Sequence, residues 1–155
     1  MSELSEKIIG AAIEVHRELG PGLLESTYEA CLAQELNLQG IKAVRQKKQP
    51  IHYKGLEIDE AYRIDVIVED QIILELKVVD ELNNIHMAQL LTYLKLSGCS
   101  LGYLINFNVP LLKNVKQIAM VIATGNTAVL MPSEFATQVT VQFAKTLHEA
   151  GLPGG

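Results

Sequence analysis

An α/β fold with a mixed sheet and flanking helices is predicted by three features of the sequence. Two helical patterns of apolar residues come first, between residues 3 and 37. A run of short apolar strands follows, between residues 42 and 78, and a third helical pattern and another apolar strand close the series, between residues 85 and 109. Strands with helices before and after them favour a layered arrangement over an all-α or all-β one. A length of 155 residues suits one domain with a real core and is short for two.

Residues 3 to 19 form an amphipathic pattern with Ile8, Ala12, Val15 and Leu19 on one stripe, ended by Gly20-Pro21-Gly22. A second helix is predicted from Leu24 to Asn37, carrying Tyr28, Cys31, Leu32 and Leu36, with Gly40 closing the connection after it. Glu25 falls in its first turn, where the helix dipole favours a carboxylate whatever its function, so a structural reading stands beside a catalytic one. Residues 42 to 46 and 50 to 53 read as short strands, with Pro50 tolerated at a strand start or edge and Gly55 marking a turn.

The segment Tyr62 to Val78 reads as two strands around a polar turn, Glu69-Asp70-Gln71. A three-residue loop sets Val68 against Ile72 and, counting back, Asp65 against Glu75. Lys77 shares the face of Glu75, while Ile72, Leu74, Leu76 and Val78 line the other. Two carboxylates and an ammonium on an apolar strand pair are costly unless an ion or a charge network compensates them, so this is a candidate site. An inert buried salt-bridge network is the competing reading, and its desolvation cost brings no evident benefit.

Asn83-Asn84 are plausible caps for a helix over Ile85 to Leu96, ended by Gly98. Within it His86, Gln89 and Tyr93 lie three and four residues apart and share one face, whereas Met87, Leu91 and Leu94 lean toward another. Gln89 and Tyr93 have a packing role as their alternative reading. Leu101 to Val109 reads as a buried strand stopped by Pro110, and Val115 to Ile122 as a strand on the sheet edge.

Formal net charge is -5, which lends no general attraction for nucleic acid. Lys42, Arg45, Lys47, Lys48 and Lys54 nevertheless form a local basic cluster, readable either as a nucleic-acid contact or as a solvated strand edge guarded by lysines. Cys31 and Cys99 suggest no disulfide framework, and His16, His52, His86 and His148 are too scattered for a zinc site. Acidic residues interrupt the first helix and no stretch is long enough to span a bilayer, so the expectation is a cytoplasmic protein without a signal peptide or membrane segment.

Asp65 followed by Glu75-Leu76-Lys77 resembles the signature of the PD-(D/E)XK nuclease superfamily, and Gly22-Leu23-Leu24-Glu25-Ser26-Thr27-Tyr28 resembles the motif of its GxxExxY family. The phrases HRELGPGLLESTYE, QLLTYLKLSG and LINFNVPLLK are also similar to that family, so the resemblance covers about residues 4 to 118. It implies a restriction-endonuclease-like αβββαβ core over residues 1 to 118 and a divalent-metal-dependent nuclease acting on nucleic acid, DNA first. Asp65 and Glu75 would be the metal carboxylates, with the Leu76 carbonyl and Glu25 as further ligands, and Lys77 the active-site lysine. Gln89 and Tyr93 resemble the Gln-x-x-x-Tyr helix motif of RecB-like members, and Ile64 stands where the signature often has proline. An oxygen ligand set suits Mg²⁺ or Mn²⁺. The alternative is a noncatalytic nucleic-acid-binding or protein-interaction module on the same fold; DNA versus RNA and the existence of a homo-oligomer stay open.

Residues 123 to 155 resemble instead a piece of the aldehyde dehydrogenase cofactor domain, at Gly125-Asn126-Thr127, Pro132-Ser133-Glu134 and Glu149-Ala150-Gly151-Leu152-Pro153. Met131 replaces that family's cofactor-contacting lysine, and one strand with one helix makes no dinucleotide crevice. Residues 119 to 155 are therefore read as a C-terminal extension, a fusion or frameshift remnant, with a helix expected over Glu134 to Ala150.

Overall fold

The computed structural model describes residues 2–110, 118–124 and 127–132, with residues 60–61, 118–124 and 127–132 described by their backbone alone. Helices α1 (Glu3–Leu19) and α2 (Glu25–Leu38) precede strands β1 (Ala43–Tyr53), β2 (Leu56–Val68) and β3 (Ile72–Lys77). Helix α3 (Asn84–Ser97) then leads to β4 (Leu101–Asn106), β5 (Ile118–Thr124) and β6 (Thr127–Pro132). The strands lie in chain order in one six-stranded sheet. Among the described strands only β3 and β4 pair in parallel, because the α3 crossover returns the chain to the same end of the sheet. This is the mixed α/β arrangement the sequence predicts.

Helix α1 starts where the Ser2 side chain accepts the Ser5 amide at 3.2 Å, and its Ile8, Ala12 and Val15 stripe is buried. Leu19, expected on that stripe, is 39% exposed because the helix ends there, beyond the edge of the packed layer. Tyr28, Leu32 and Leu36 of α2 join α1 against Val66, Val68, Leu74 and Leu76. On the opposite face Leu90, Tyr93 and Leu94 of α3 cover Ile67, Ile73 and Leu104. Apolar cores on both faces explain why β3 is buried over Ile72–Leu76.

The strands expected at 42 to 46 and 50 to 53 form one strand, β1, and β2 begins at Leu56 rather than near Tyr62. Lys54 and Gly55, with φ of 47° and 89°, make the tight turn that closes a long hairpin by pairing Tyr53 with Leu56. Pro50 marks a register shift between Gln49 and Ile51, which an edge strand can absorb. β4 ends at Asn106 rather than Val109, because the Asn106 side chain takes the Val79 and Asn108 amides at 3.2 and 3.1 Å. The helix expected over Glu134 to Ala150 lies outside the described residues.

Candidate functional site

The β2–β3 turn produces the register on which the site depends. Glu69 and Asp70 both adopt positive φ, 51° and 53°, and the Gln71 amide donates to the Val68 carbonyl at 2.9 Å. Left-handed backbone at a glutamate is costly, and the Glu69 carboxylate offsets it by accepting the Lys42 amide at 2.6 Å. Val68, Ile67 and Val66 then pair with Ile72, Ile73 and Leu74. The ladder stops one position before Asp65 and Glu75, and there the Asp65 Oδ2 accepts the Leu76 amide at 2.9 Å. On the other flank, Gln46 of β1, with φ of 53°, breaks the ladder between the pairs Arg45–Val66 and Lys47–Ile64, at the position opposite Asp65. Asp65 thus sits where its strand is released from both neighbours, and its side chain replaces a backbone acceptor.

Glu75 and Lys77 project from β3 two residues apart on the face that also carries Ile73. Glu75 is 1% exposed, and its Oε1 accepts the Lys77 ammonium at 2.6 Å. Its Oε2 is buried without a hydrogen-bond partner. Burial, and then the charge of Asp65, push the Glu75 carboxyl up to about 7 against the pull of Lys77. Burial also pushes Asp65 up to about 6, opposed by the Leu76 amide and by Lys77. Burial works against the Lys77 ammonium, yet its hydrogen bond to Glu75 and the charges of Glu75, Glu25 and Asp65 outweigh that and raise its pKa. Three ionisable groups therefore share one poorly solvated space.

Glu25 lies in the first turn of α2, and its charge raises the proton affinity of Asp65, Glu75 and Lys77 alike. From α3, Gln89 donates through Nε2 to the Tyr93 hydroxyl at 2.8 Å, and the Tyr93 ring packs edge-on against Tyr62 at 5.5 Å. Burial is the main cause of the raised Tyr93 pKa, with Glu75 and Asp65 adding to it, so the phenol keeps its proton near neutrality. His86, which shares the α3 pattern, instead accepts the Asn83 amide through Nδ1 in a capping box. Among the described residues no three His, Cys, Asp or Glu side chains gather closely enough to hold an ion.

Three further residues support the site: Glu29 and Asn106, which the sequence reading does not single out, and Tyr28, which it places in the second helix and in the Gly22–Tyr28 motif without this role. Glu29, 3% exposed, accepts Arg45 Nε at 2.7 Å and Gln46 Nε2 at 2.6 Å, and its charge also acts on Asp65. Its position four residues after Glu25, on the same helical face, was the available signal. Asn106 lies opposite Lys77 in the parallel ladder and clamps Val79, accepting its amide and donating to its carbonyl at 2.7 Å. Tyr28, fully buried, donates its hydroxyl proton to the Gly20 carbonyl at 2.5 Å and accepts the Leu23 amide at 3.2 Å, tying down the turn that delivers Glu25.

A family model of the PD-(D/E)XK nuclease superfamily matches residues 2–118, which include every residue of this site. The chain belongs to that superfamily. Its mixed sheet with helices on both faces is the nuclease-like fold of the PD-(D/E)XK proteins.

Curated relatives match a shorter stretch and are of another kind. Betaine aldehyde dehydrogenase of Bacillus subtilis (strain 168) is 41% identical over 54 residues, 35% of this chain and 11% of that protein. Lactaldehyde dehydrogenase of Escherichia coli (strain K12) is 36% identical over 66 residues, 43% of this chain and 14% of its own length. Phenylacetaldehyde dehydrogenase of Pseudomonas fluorescens is 44% identical over 52 residues, 34% of this chain and 10% of the relative. The chain thus spans about a tenth of the length of these relatives. No solved structure matches.

Proposed function

We propose that this PD-(D/E)XK protein hydrolyses phosphodiester bonds of nucleic acid, DNA first, with Mg²⁺ or Mn²⁺ at Asp65 and Glu75. The observation that carries the reading is the Glu75 Oε2, a buried carboxylate oxygen without a partner, raised in proton affinity by the charge of a second, half-buried carboxylate, Asp65. Buried polar atoms are almost always satisfied, and an oxygen so placed beside Asp65 fits a hard cation. Asp65 and Glu75 would hold the ion, with the Leu76 carbonyl and Glu25 as additional oxygen donors. When bound, such an ion polarises the phosphodiester and lowers the pKa of a water.

The chain's own groups supply the rest. Lys77, kept charged by its carboxylate neighbours, orients the attacking water and stabilises charge on the phosphorane. The Tyr93 hydroxyl, with its oxygen already accepting Gln89, directs its own proton toward a water or a phosphate oxygen. The apolar floor under Glu75 excludes bulk water and strengthens each of these interactions.

The test is a cleavage screen with and without Mn²⁺ on single-stranded, duplex and branched DNA and on RNA. Metal-dependent cleavage abolished by both Asp65→Ala and Lys77→Ala in folded protein supports the proposal. One observation favours a second reading, a noncatalytic nucleic-acid-binding module: the Lys77 ammonium lies 2.6 Å from one Glu75 oxygen and competes with a cation for it. Binding without cleavage under every metal condition selects it.

A further inference from the structure

We infer that Glu29 is a positioning residue of the candidate site: its two carboxylate oxygens hold consecutive residues of β1, Arg45 and Gln46, in a backbone slip that sets Asp65 free of the ladder. This role rests on the nuclease reading and names what fixes one of its two metal carboxylates. The slip shows in which core each strand residue joins. Cross-strand partners share a face, and side chains along a regular strand alternate between faces. Val66 and Val68 pack in the core under α1 and α2, so their partners Arg45 and Ala43 face that side. Ile64 belongs instead to the core under α3, and its partner Lys47 faces that side with it. Residues two apart thus lie on opposite faces in both strands, and the exception falls at one position, Gln46 opposite Asp65.

Gln46 has φ of 53°, left-handed backbone that a glutamine keeps only where its surroundings hold it. Glu29 supplies the hold. Arg45 Nε donates to its Oε1 at 2.7 Å, and Gln46 Nε2 donates to its Oε2 at 2.6 Å. Neighbours in a regular strand point to opposite faces, so one carboxylate collects both side chains only across such a slip. Glu29 is 3% exposed and stands one helical turn after Glu25, and Arg45 also reaches the Ser26 carbonyl at 3.5 Å. The helix that carries Glu25 is thereby fastened to β1 at the position facing Asp65. There the Asp65 carboxylate takes the Leu76 amide at 2.9 Å and interacts with charges from both layers, Glu25 and Glu29 of α2 and Glu75 and Lys77 of β3. Without the Glu29 carboxylate, Gln46 is free to return to extended backbone and to pair regularly with Asp65, which draws Asp65 away from Glu75.

Calorimetric titration with Mn²⁺ and amide NMR spectra of the metal-free protein test this role, with circular dichroism melting to establish that each variant is folded. Glu29→Gln should weaken Mn²⁺ by roughly tenfold, as loss of the support behind a metal ligand does, and should move the Leu76 amide resonance. Glycine adopts positive φ without strain, so adding Gln46→Gly to Glu29→Gln should restore most of the Mn²⁺ affinity and return the Leu76 resonance toward its wild-type position. A lost charge or a lost packing contact would not be repaired in this way. If Glu29→Gln does not fold, two variants that keep Glu29 decide the matter. Gln46→Val and Gln46→Gly both remove the side-chain amide, but a β-branched residue resists left-handed backbone, so only Gln46→Val should weaken Mn²⁺ and move Leu76. Unchanged affinity in Glu29→Gln, a loss there that Gln46→Gly does not repair, or equal affinity in Gln46→Val and Gln46→Gly overturns the role and leaves the nuclease reading standing. Wild-type protein that binds no Mn²⁺, even with DNA present, fails the nuclease reading instead, and the Leu76 resonance then decides whether Glu29 holds the slip.

Discussion

The Leu76 amide donates to the Asp65 carboxylate at 2.9 Å, where a regular ladder would have offered it a backbone carbonyl. This bond holds Asp65 beside Glu75, and it is the main interaction favouring an ionised Asp65 against its burial. Asp65→Asn keeps the volume and an acceptor oxygen, so the fold should survive, with a thermal midpoint within a few degrees of wild type. Cleavage should be lost because the charge is gone. Circular dichroism melting together with the Mn²⁺-dependent cleavage assay checks both halves.

Stability of the metal-free protein should depend on pH with a definite sign. Asp65 and Glu75 have folded-state values raised to about 6 and about 7, so the folded chain holds protons that the unfolded chain has released. Stability must then fall as pH rises from about 4 to about 7, by on the order of 1–3 kcal/mol. Glu75→Gln removes one of the two groups and should flatten that decline. Urea unfolding in chelator at several pH values gives the comparison, and a wild-type stability that rises across the window contradicts it.

Metal binding should show the reverse dependence, tightening as pH rises through the same carboxylate range, since the ion competes with protons. Glu75→Gln should weaken Mn²⁺ at least about tenfold. Lys77→Met should bind Mn²⁺ no more weakly than wild type, because it frees the Glu75 Oε1, while turnover is lost. Calorimetric titrations at matched pH and low salt separate the two variants. Absence of saturable binding to folded wild type, even with DNA present, counts against the metallonuclease.

Tyr28→Phe tests the support of Glu25. The hydroxyl joins the Gly20 carbonyl and the Leu23 amide in a buried position, stacked on Phe107 with ring centroids 4.5 Å apart. Its removal leaves both backbone groups short of a partner and should cost about 1–3 kcal/mol. Cleavage should fall further than stability explains, since the turn carrying Glu25 loses its tether; kinetics well below the unfolding transition measure that excess.

Gly102→Ala probes the α3 side. A methyl there would meet Leu90 Cδ1 at 2.8 Å and the Ile73 carbonyl at 3.3 Å, with Leu90 fully buried. The shift it forces on α3 should cost roughly 1–3 kcal/mol and disturb Gln89 and Tyr93 while leaving Asp65 and Glu75 in place. Denaturant midpoints and retained Mn²⁺ binding give the two readouts.

Deleting residues 127–155 removes the outermost strand, β6, and everything after it, while sparing β5 against β4. We expect a single cooperative unfolding transition to persist, as the sequence division at residue 118 implies. Loss of cooperative unfolding would make the extension part of the domain.

Much of this protein follows from sequence alone, for physical reasons. The helix–helix–strand order is legible because apolar residues recur with the periods that bury one face. The Asp65–Glu75 register is legible because a short turn and period-two alternation leave few ways to pair two apolar arms. The family signature points to the same residues. What tertiary structure alone decided is how these groups are held. The continuous β1–β2 arm depends on Lys54-Gly55 and on a shift near Pro50, where local signals suggest separate strands. The Glu29–Arg45–Gln46 cluster joins residues whose contact exists only after α2 packs on the sheet. The unpartnered Glu75 oxygen and the raised carboxyl values arise from burial under α3 and from mutual charge. Burial and proximity are properties of three-dimensional packing, and residue spacing along a chain does not encode them.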